Sequence, residues 1–310
     1  MTSAENLPPD DRALAKLIPQ WGAGSRASLA RVLSDVRLRG RIPAAEVEPI
    51  LDAERKTAGE LILDLLPVAQ LYARAPTSNY RVGAVAHGVS GSVYFGANLE
   101  VPRQMLGFSV HAEQSAVTNA FAHQEPGVRA LAVTATPCGH CRQFLNELAG
   151  AATLEVHVKG GAAARLASLL PSSFGPDNLG VKDRIFKAAK WELEPAAGTS
   201  SDDLSSAALE AARRSYAPYS HSPSGVAVQA SNNVYIGSYL ENAAFNPSLS
   251  PLPAALVSLM MGREETASIT AVALVEIENG TISQVSATQA VLGALAPAVQ
   301  LKVVAARVRS

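Results

Sequence analysis

Only two cysteines occur in the 310-residue chain, and they stand three apart in Thr136-Pro137-Cys138-Gly139-His140-Cys141. Alone, a Cys-x-x-Cys pair serves either a metal or a redox couple, and a chain this large with so few cysteines is not held by a disulfide framework. Upstream lies Val110-His111-Ala112-Glu113-Gln114. Both segments fall where a strand or loop runs into a helical pattern, so both present free backbone N–H groups and the positive end of a helix dipole, which favour thiolates. A catalytic zinc takes three protein ligands and leaves a fourth position for water; one imidazole and two thiolates meet that count and cancel the metal's charge. His111, Cys138 and Cys141 are therefore the candidate ligands of one zinc ion per subunit. Glu113, about 200° around a helix axis from His111, is the candidate proton carrier. A carboxylate beside a metal water whose pKa has fallen to about 7 can take its proton and deliver it elsewhere. A purely structural zinc site would need a fourth protein ligand, for which His140 is the only neighbour in sequence. His87, His123, His157 and His221 have no sequence partners and read as ordinary surface or core residues.

Periodicity assigns these groups to defined elements. Helices are expected over 112–122 and 139–148, strands over 131–135 and 154–158, and a pair of strands over 80–86 and 92–95 separated by Gly88 and Gly91. A helix over 61–73 leads into the turn Pro76-Thr77-Ser78-Asn79. Strands alternating with helices of this length imply a layered α/β sheet with some parallel pairing. Residues 12–55 read as amphipathic helix, with Leu29, Val32, Leu33 and Val36 on one face and interruptions at Pro43 and Pro49. Residues 171–203, rich in Pro, Ser, Gly and Asp, read as a connector.

The sequence beyond the connector echoes the sequence before it. Ala75-Pro76-Thr77-Ser78 with Gly83 returns as Ala217-Pro218-Tyr219-Ser220 with Gly225, and Tyr94-Phe95-Gly96 with Leu99-Glu100 returns as Tyr235-Ile236-Gly237 with Leu240-Glu241. Two copies of one domain are the reading. Continuing the second offset places Leu252 opposite His111 and Ala254 opposite Glu113, and no cysteine occurs after Cys141, so the second copy has no such metal site. The expected organisation is a helical domain over 1–56, a catalytic domain over 57–180, a linker over 181–203 and a degenerate copy over 204–310.

Charge and composition narrow the partners. With 26 basic against 27 acidic residues and 5% aromatics, the chain lacks the basic surplus and stacking rings of a nucleic-acid binder. No apolar run reaches the length of a membrane span, and the first 16 residues are acidic and proline-bearing where a secretory leader would be basic and then apolar. Cytoplasmic residence with a small-molecule substrate, away from nucleic acid and membrane, is the expectation.

His-x-Glu with a later Pro-Cys-x-x-Cys is the zinc deaminase signature. Carried as His111-Ala112-Glu113-Gln114 and Pro137-Cys138-Gly139-His140-Cys141-Arg142-Gln143-Phe144, it resembles the cytidine deaminase family, specifically its long homodimeric branch, from about residue 57 to the end. The resemblance implies a three-layer α/β/α sandwich with a mixed sheet, duplicated. It implies a homodimer that hydrolyses cytidine and 2′-deoxycytidine to uridine and 2′-deoxyuridine, with release of ammonia, in pyrimidine salvage. It further implies that Asn98 and Glu100 hold the sugar's 3′-hydroxyl, that Tyr80 packs on the pyrimidine, and that the Ala112 N–H and Thr136 C=O read the base edge. Ala135 stands where related enzymes often have a tyrosine. The degenerate copy is implied to complete the partner subunit's site, with Phe245 and the linker residue Phe174 as contacts; Phe245→Ala should then raise KM with zinc retained. Two other classes remain at this point. A polynucleotide deaminase would shift a nucleic acid in a gel across salt concentrations, and a non-enzymatic zinc or redox module would show four protein ligands or reversible oxidation of Cys138 with Cys141.

Overall fold

Residues 9–196 and 202–309 are described by the computed structural model. The N-terminal stretch forms helices α1 (Asp11–Ala15), α2 (Ala23–Ser34) and α3 (Ala44–Glu54), with the short strand β1 (Arg41–Ile42) before the last. Leu29, Val32 and Leu33 are buried as the periodicity predicts, but Val36 is 44% exposed. Asp35 leaves helical geometry at ψ 95° and its carboxylate accepts the Arg37 N–H, so the apolar face stops one turn early. Pro49 does not interrupt; it lies inside α3, where it forfeits one backbone bond while Val47 and Ile50 on either side are fully buried.

Thr57 opens the next unit by capping α4 (Ala58–Asp64), exchanging hydrogen bonds with Glu60. The single helix expected over 61–73 is two, because Pro67 at the start of α5 (Leu66–Leu71) has no N–H to continue the ladder. The first sheet runs in the order β1-β3-β2-β4-β5-β6, with β2 (Gly83–Gly88), β3 (Val93–Ala97), β4 (Val128–Val133), β5 (Glu155–Val158) and β6 (Ala164–Arg165). Strand β2 starts three residues later than expected, since the Asn98 side chain takes the Val82 N–H (2.9 Å) and donates to the Tyr80 carbonyl (2.9 Å), replacing a strand partner there. Helix α6 (Ala112–Ala122) comes after the hairpin as expected, and α7 (Gly139–Leu145), three residues shorter than expected, crosses between the parallel strands β4 and β5.

Glycines define the layers. Gly83 pairs with Ala97, and Gly96 with Ala84, so the two glycines point to opposite faces of the sheet. A Cβ on Gly83 would meet Ala69 and Gln70 of α5, and one on Gly96 would lie 2.1 Å from the Ala116 nitrogen of α6. Helices therefore cover both faces at van der Waals contact, the α/β/α sandwich that the resemblance implied.

After α8 (Leu166–Leu169) and the connector the pattern repeats. The second sheet, β7-β11-β10-β8-β9, comprises β7 (Leu193–Pro195), β8 (Ser224–Ala230), β9 (Asn233–Ser238), β10 (Ile269–Ile277) and β11 (Leu301–Val308), with helices α9 (Asp203–Arg213), α10 (Pro251–Met261) and α11 (Val285–Leu295). The connector thus supplies the edge strand β7 against β11. Strands β9-β8-β10-β11 copy β3-β2-β4-β5 in order and sense. Every residue of α10 is buried, as is α6 from Ala112 through Ala120; the two helices pack together between the sheets, where the main apolar cluster is continuous. Among the described residues no helix is long and apolar enough to cross a membrane.

The repeat also corrects the register read from sequence. Leu99 bridges Val110, and Leu240 bridges Leu249; Gly96 abuts Ala112 and Ala116, Gly237 abuts Pro251 and Ala255. The loop after Glu241 is two residues shorter than that after Glu100. Ser250, not Leu252, stands opposite His111, each as the residue before its helix, and Leu252, not Ala254, stands opposite Glu113.

Candidate active site

Leu99 and Val110 exchange both backbone hydrogen bonds (2.9 and 2.8 Å), which delivers the chain from the hairpin to the start of α6 with His111 next in line. His111 is in extended geometry (φ −79°, ψ 157°) before the helix begins, and its N–H is accepted by Gln114 Oε1 at 3.2 Å. Cys138 holds the same place before α7. Arg142 locks that turn, donating from Nε to the Pro137 carbonyl (2.9 Å) and from Nη1 to Leu169 (2.7 Å).

The three predicted ligand atoms converge. His111 Nδ1 lies 3.5 Å from Cys138 Sγ and 3.2 Å from Cys141 Sγ, and the sulfurs are 3.6 Å apart. Bonds of about 2.3 Å to sulfur and 2.0 Å to nitrogen at tetrahedral angles span edges of about 3.5–3.8 Å, so the triangle fits one zinc ion. They form a metal-ligating group among the described residues, and His140 is not in it. The His140 ring lies 5.2 Å from that of His111, and burial, then the neighbouring His111, lowers its pKa. Burial pushes the Cys141 thiol up, with Glu113 and Cys138 adding to it; a divalent cation on the sulfurs reverses that balance. Glu113 is 4% exposed, and burial raises its pKa, opposed chiefly by backbone N–H donation and by Cys141.

His111, Glu113 and Cys138 line a pocket of about 400 Å³ whose other walls include Ser78, Tyr80, Val82, Asn98, Glu100, Leu106, Ala135 and Thr136. Asn98 uses one lone pair and one N–H on the 80–82 loop, leaving one acceptor site and one donor. Glu100 Oε2 accepts the Thr77 and Ser78 N–H groups (2.8 and 3.0 Å) and its Oε1 the Ser78 hydroxyl, which leaves Oε1 one lone pair. Together they can donate to and accept from one hydroxyl. Tyr80 is 62% exposed, a ring on the pocket wall rather than a strand core residue. The Ala112 N–H belongs to the first turn of α6, beyond the reach of any intrahelical carbonyl.

A family model described as the cytidine and deoxycytidylate deaminase zinc-binding region matches residues 58–156, and a second of the same description matches 166–289. The cytidine deaminase of Sodalis glossinidius is 43% identical over 296 residues, 91% of this chain and 96% of its own. The chain belongs to the cytidine deaminase family. The cytidine deaminase of Vibrio vulnificus is 41% identical over 281 residues, 89% of this chain and 94% of its own. Among solved structures, the cytidine deaminase of Mycobacterium tuberculosis is 29% identical with a TM-score of 0.36, over 39% of this chain and 99% of its own. As a member of this family the enzyme is zinc-dependent, and the His111–Cys138–Cys141 group is where the ion fits.

Phe174 and Phe245 do not line the pocket of their own chain. Both rings are exposed, 47% and 67%, and Gln143 Nε2 donates both to the Phe174 carbonyl (2.8 Å) and to Asn242 Oδ1 (3.4 Å), which sets the two segments side by side on α7. Sequence reasoning missed Gln114 and Arg142, which orient the ligands, and Ser78, which ties down Glu100. A signal existed for two of them: Gln114 is three residues past a helix-start residue, as in a capping box, and the Ser78–Glu100 pair recurs as Ser220–Glu241.

Proposed function

We propose that the enzyme deaminates cytidine and 2′-deoxycytidine by hydrolysis, with Glu113 as the proton carrier and His111, Cys138 and Cys141 as the zinc ligands. The observation that carries the reading is one pocket lined by His111 and Cys138 of the ligand triangle, by the buried Glu113, and by Asn98 and Glu100 with their spare hydrogen-bonding capacity. Held by His111, Cys138 and Cys141, a zinc ion would lower the pKa of a bound water and so supply a nucleophile at neutral pH. Glu113 takes the proton that this water sheds and gives it to N3 of the base as C4 becomes tetrahedral. The same carboxylate then takes the proton of the new C4 hydroxyl and hands it to the departing amine, so ammonia leaves and the uracil carbonyl forms. Asn98 and Glu100 fix the ribose 3′-hydroxyl, the Ala112 N–H and Thr136 C=O the base edge, and Tyr80 covers the ring. A phosphate at the 3′ position would meet the Glu100 carboxylate, which favours free nucleosides over polynucleotides.

Met105, Leu106, Phe174 and Phe245 are large exposed apolar residues and support a homodimer in which Phe174 and Phe245 reach the partner's pocket. Cytoplasmic pyrimidine salvage is the role in keeping with a free-nucleoside substrate. The test is the fall in cytidine absorbance with the purified protein, with and without a chelator, together with Glu113→Gln. That variant is expected to keep its zinc and lose turnover about 10²–10⁴-fold; full turnover in it would defeat the mechanism.

A further inference from the structure

His111 enters the site from α6 and the two cysteines from α7, so the shape of the ligand triangle depends on how the two helices are held relative to each other. One loop of the metal-free half, residues 242–248, grips both. On α6, Gln114 accepts the His111 N–H with Oε1 and donates with Nε2 to the Pro247 carbonyl at 3.1 Å. On α7, the Gln143 carbonyl accepts from Asn242 Nδ2 at 2.9 Å. Just past α7, Glu147 is fully buried. Its Oε2 accepts the Ala243 N–H (3.0 Å), and its Oε1 accepts the hydroxyls of Tyr216 (2.8 Å) and Tyr219. None of these donors is a cation, and all three come from the second half. Burial, with the neighbouring carboxylate, pushes both phenols up in pKa, so both keep their O–H protons. The loop is closed on itself by Ser248 Oγ, which accepts the Asn242 N–H at 2.9 Å.

We infer that loop 242–248 is a brace that sets the spacing of the two zinc-bearing helices, with Glu147 as its anchor and Gln114 as its link to His111. A buried carboxylate is tolerated only while its donors stay in place, so the second half cannot shift on α7 without stranding that charge. Gln114, Gln143, Glu147 and Asn242 are then positioning residues: none lines the pocket of its own chain, and they act through the ligands. The inference rests on the zinc assignment proposed for His111, Cys138 and Cys141.

The test uses the full-length zinc-loaded protein, whose metal content is measured first, and reads the rate at which a chelator strips zinc together with the visible absorption of the cobalt(II)-substituted form. Glu147→Gln turns an amide nitrogen toward one of its donors, and is expected to release zinc at least tenfold faster with altered cobalt bands. Tyr219→Phe and Asn242→Ala, each removing a single side chain's bonds, are expected to do the same several-fold, and they decide the matter if Glu147→Gln does not fold. Glu276→Gln is the control, since Glu276 accepts from Ser283 and Gln284 within the second half, away from both zinc-bearing helices; it is expected to leave both readouts unchanged even if it lowers Tm. If the Glu147, Tyr219 and Asn242 variants lose only Tm, with zinc release and cobalt bands as in the parent, the brace is overturned while the zinc reading stands. A parent protein that holds no zinc overturns both.

Discussion

Glu100 and Glu241 occupy the same place in the two halves and make the same bonds. Glu100 accepts from Thr77 N, Ser78 N and Ser78 Oγ; Glu241 accepts from Tyr219 N, Ser220 N and Ser220 Oγ. The turns they hold both contain a residue in the left-handed region, Asn79 at φ 55° and His221 at φ 51°, and both hairpins press a glycine against a buried helix. The halves part at the chemistry. Where the first has His111, Glu113 and Asn98, the second has Ser250, Leu252 and a buried Tyr239 whose hydroxyl lies among Ser248, Gln284 and Glu241. A carboxylate wired into its loop is therefore a feature of the fold, present with or without a metal. What belongs to function is the difference between the halves.

The halves should diverge most at the ligands. Cys141→Ala is expected to leave the chain folded with almost no zinc by metal analysis, and to cut turnover by more than about 10³-fold. Ser250→His combined with Leu252→Glu in the second half is expected to gain no zinc, because no thiolate occurs after Cys141; a second equivalent of metal in that variant would show that the missing thiolates are not what separates the halves.

The paired carboxylates give a finer contrast. Removing either one strands backbone donors, so Glu100→Ala and Glu241→Ala are both expected to lower unfolding free energy by about 1–3 kcal/mol, more at Glu241, which is 3% exposed. Only Glu100→Ala is expected to raise KM, by about tenfold, the worth of one charge-assisted hydrogen bond. Equal KM changes in the two variants, measured by steady-state kinetics, would assign Glu100 to the loop alone.

How much of the molecule was legible from its sequence depends on what each feature rests upon. The His111–Cys138–Cys141 group could be read because metal ligation fixes residue type and spacing, and helix 112–122 because it lies between the hairpin and the next strand. The hairpin edges could not: the Asn98 amide stands in for a strand partner, a side-chain substitution that alternation of apolar residues does not record. Nor could the register of the second copy beyond Glu241, since constant offset carries no information about a loop two residues shorter. The brace was invisible for the same reason that long-range contacts are: Glu147 and Tyr216 are 69 residues apart, and neither sits in a motif.

The weakest contrast lies at the residue that ends each central helix. Gln124 after α6 and Arg263 after α10 share the left-handed conformation, φ 59° and 60°, but only Arg263 reaches the N-terminal helices, donating to Asp11 Oδ1 (2.7 Å) and to the Ser34 carbonyl (3.1 Å). The Arg263 guanidinium, by hydrogen bond and then by charge, holds the Asp11 carboxyl below its usual value of 3.8. A depressed folded-state pKa contributes stability that is complete above the unfolded value and lost as pH falls through the folded one. Because the Asp11 side chain is 67% exposed, solvent screening keeps that contribution under about 1 kcal/mol. Asp11→Asn should therefore lower Tm at pH 7 by no more than about 2 °C, converge with the parent in acid below the folded pKa, and leave kcat and KM untouched. No Tm gap at pH 7 would mean that Arg263 holds the helices through the Ser34 and Pro9 carbonyls, with the ion pair contributing nothing.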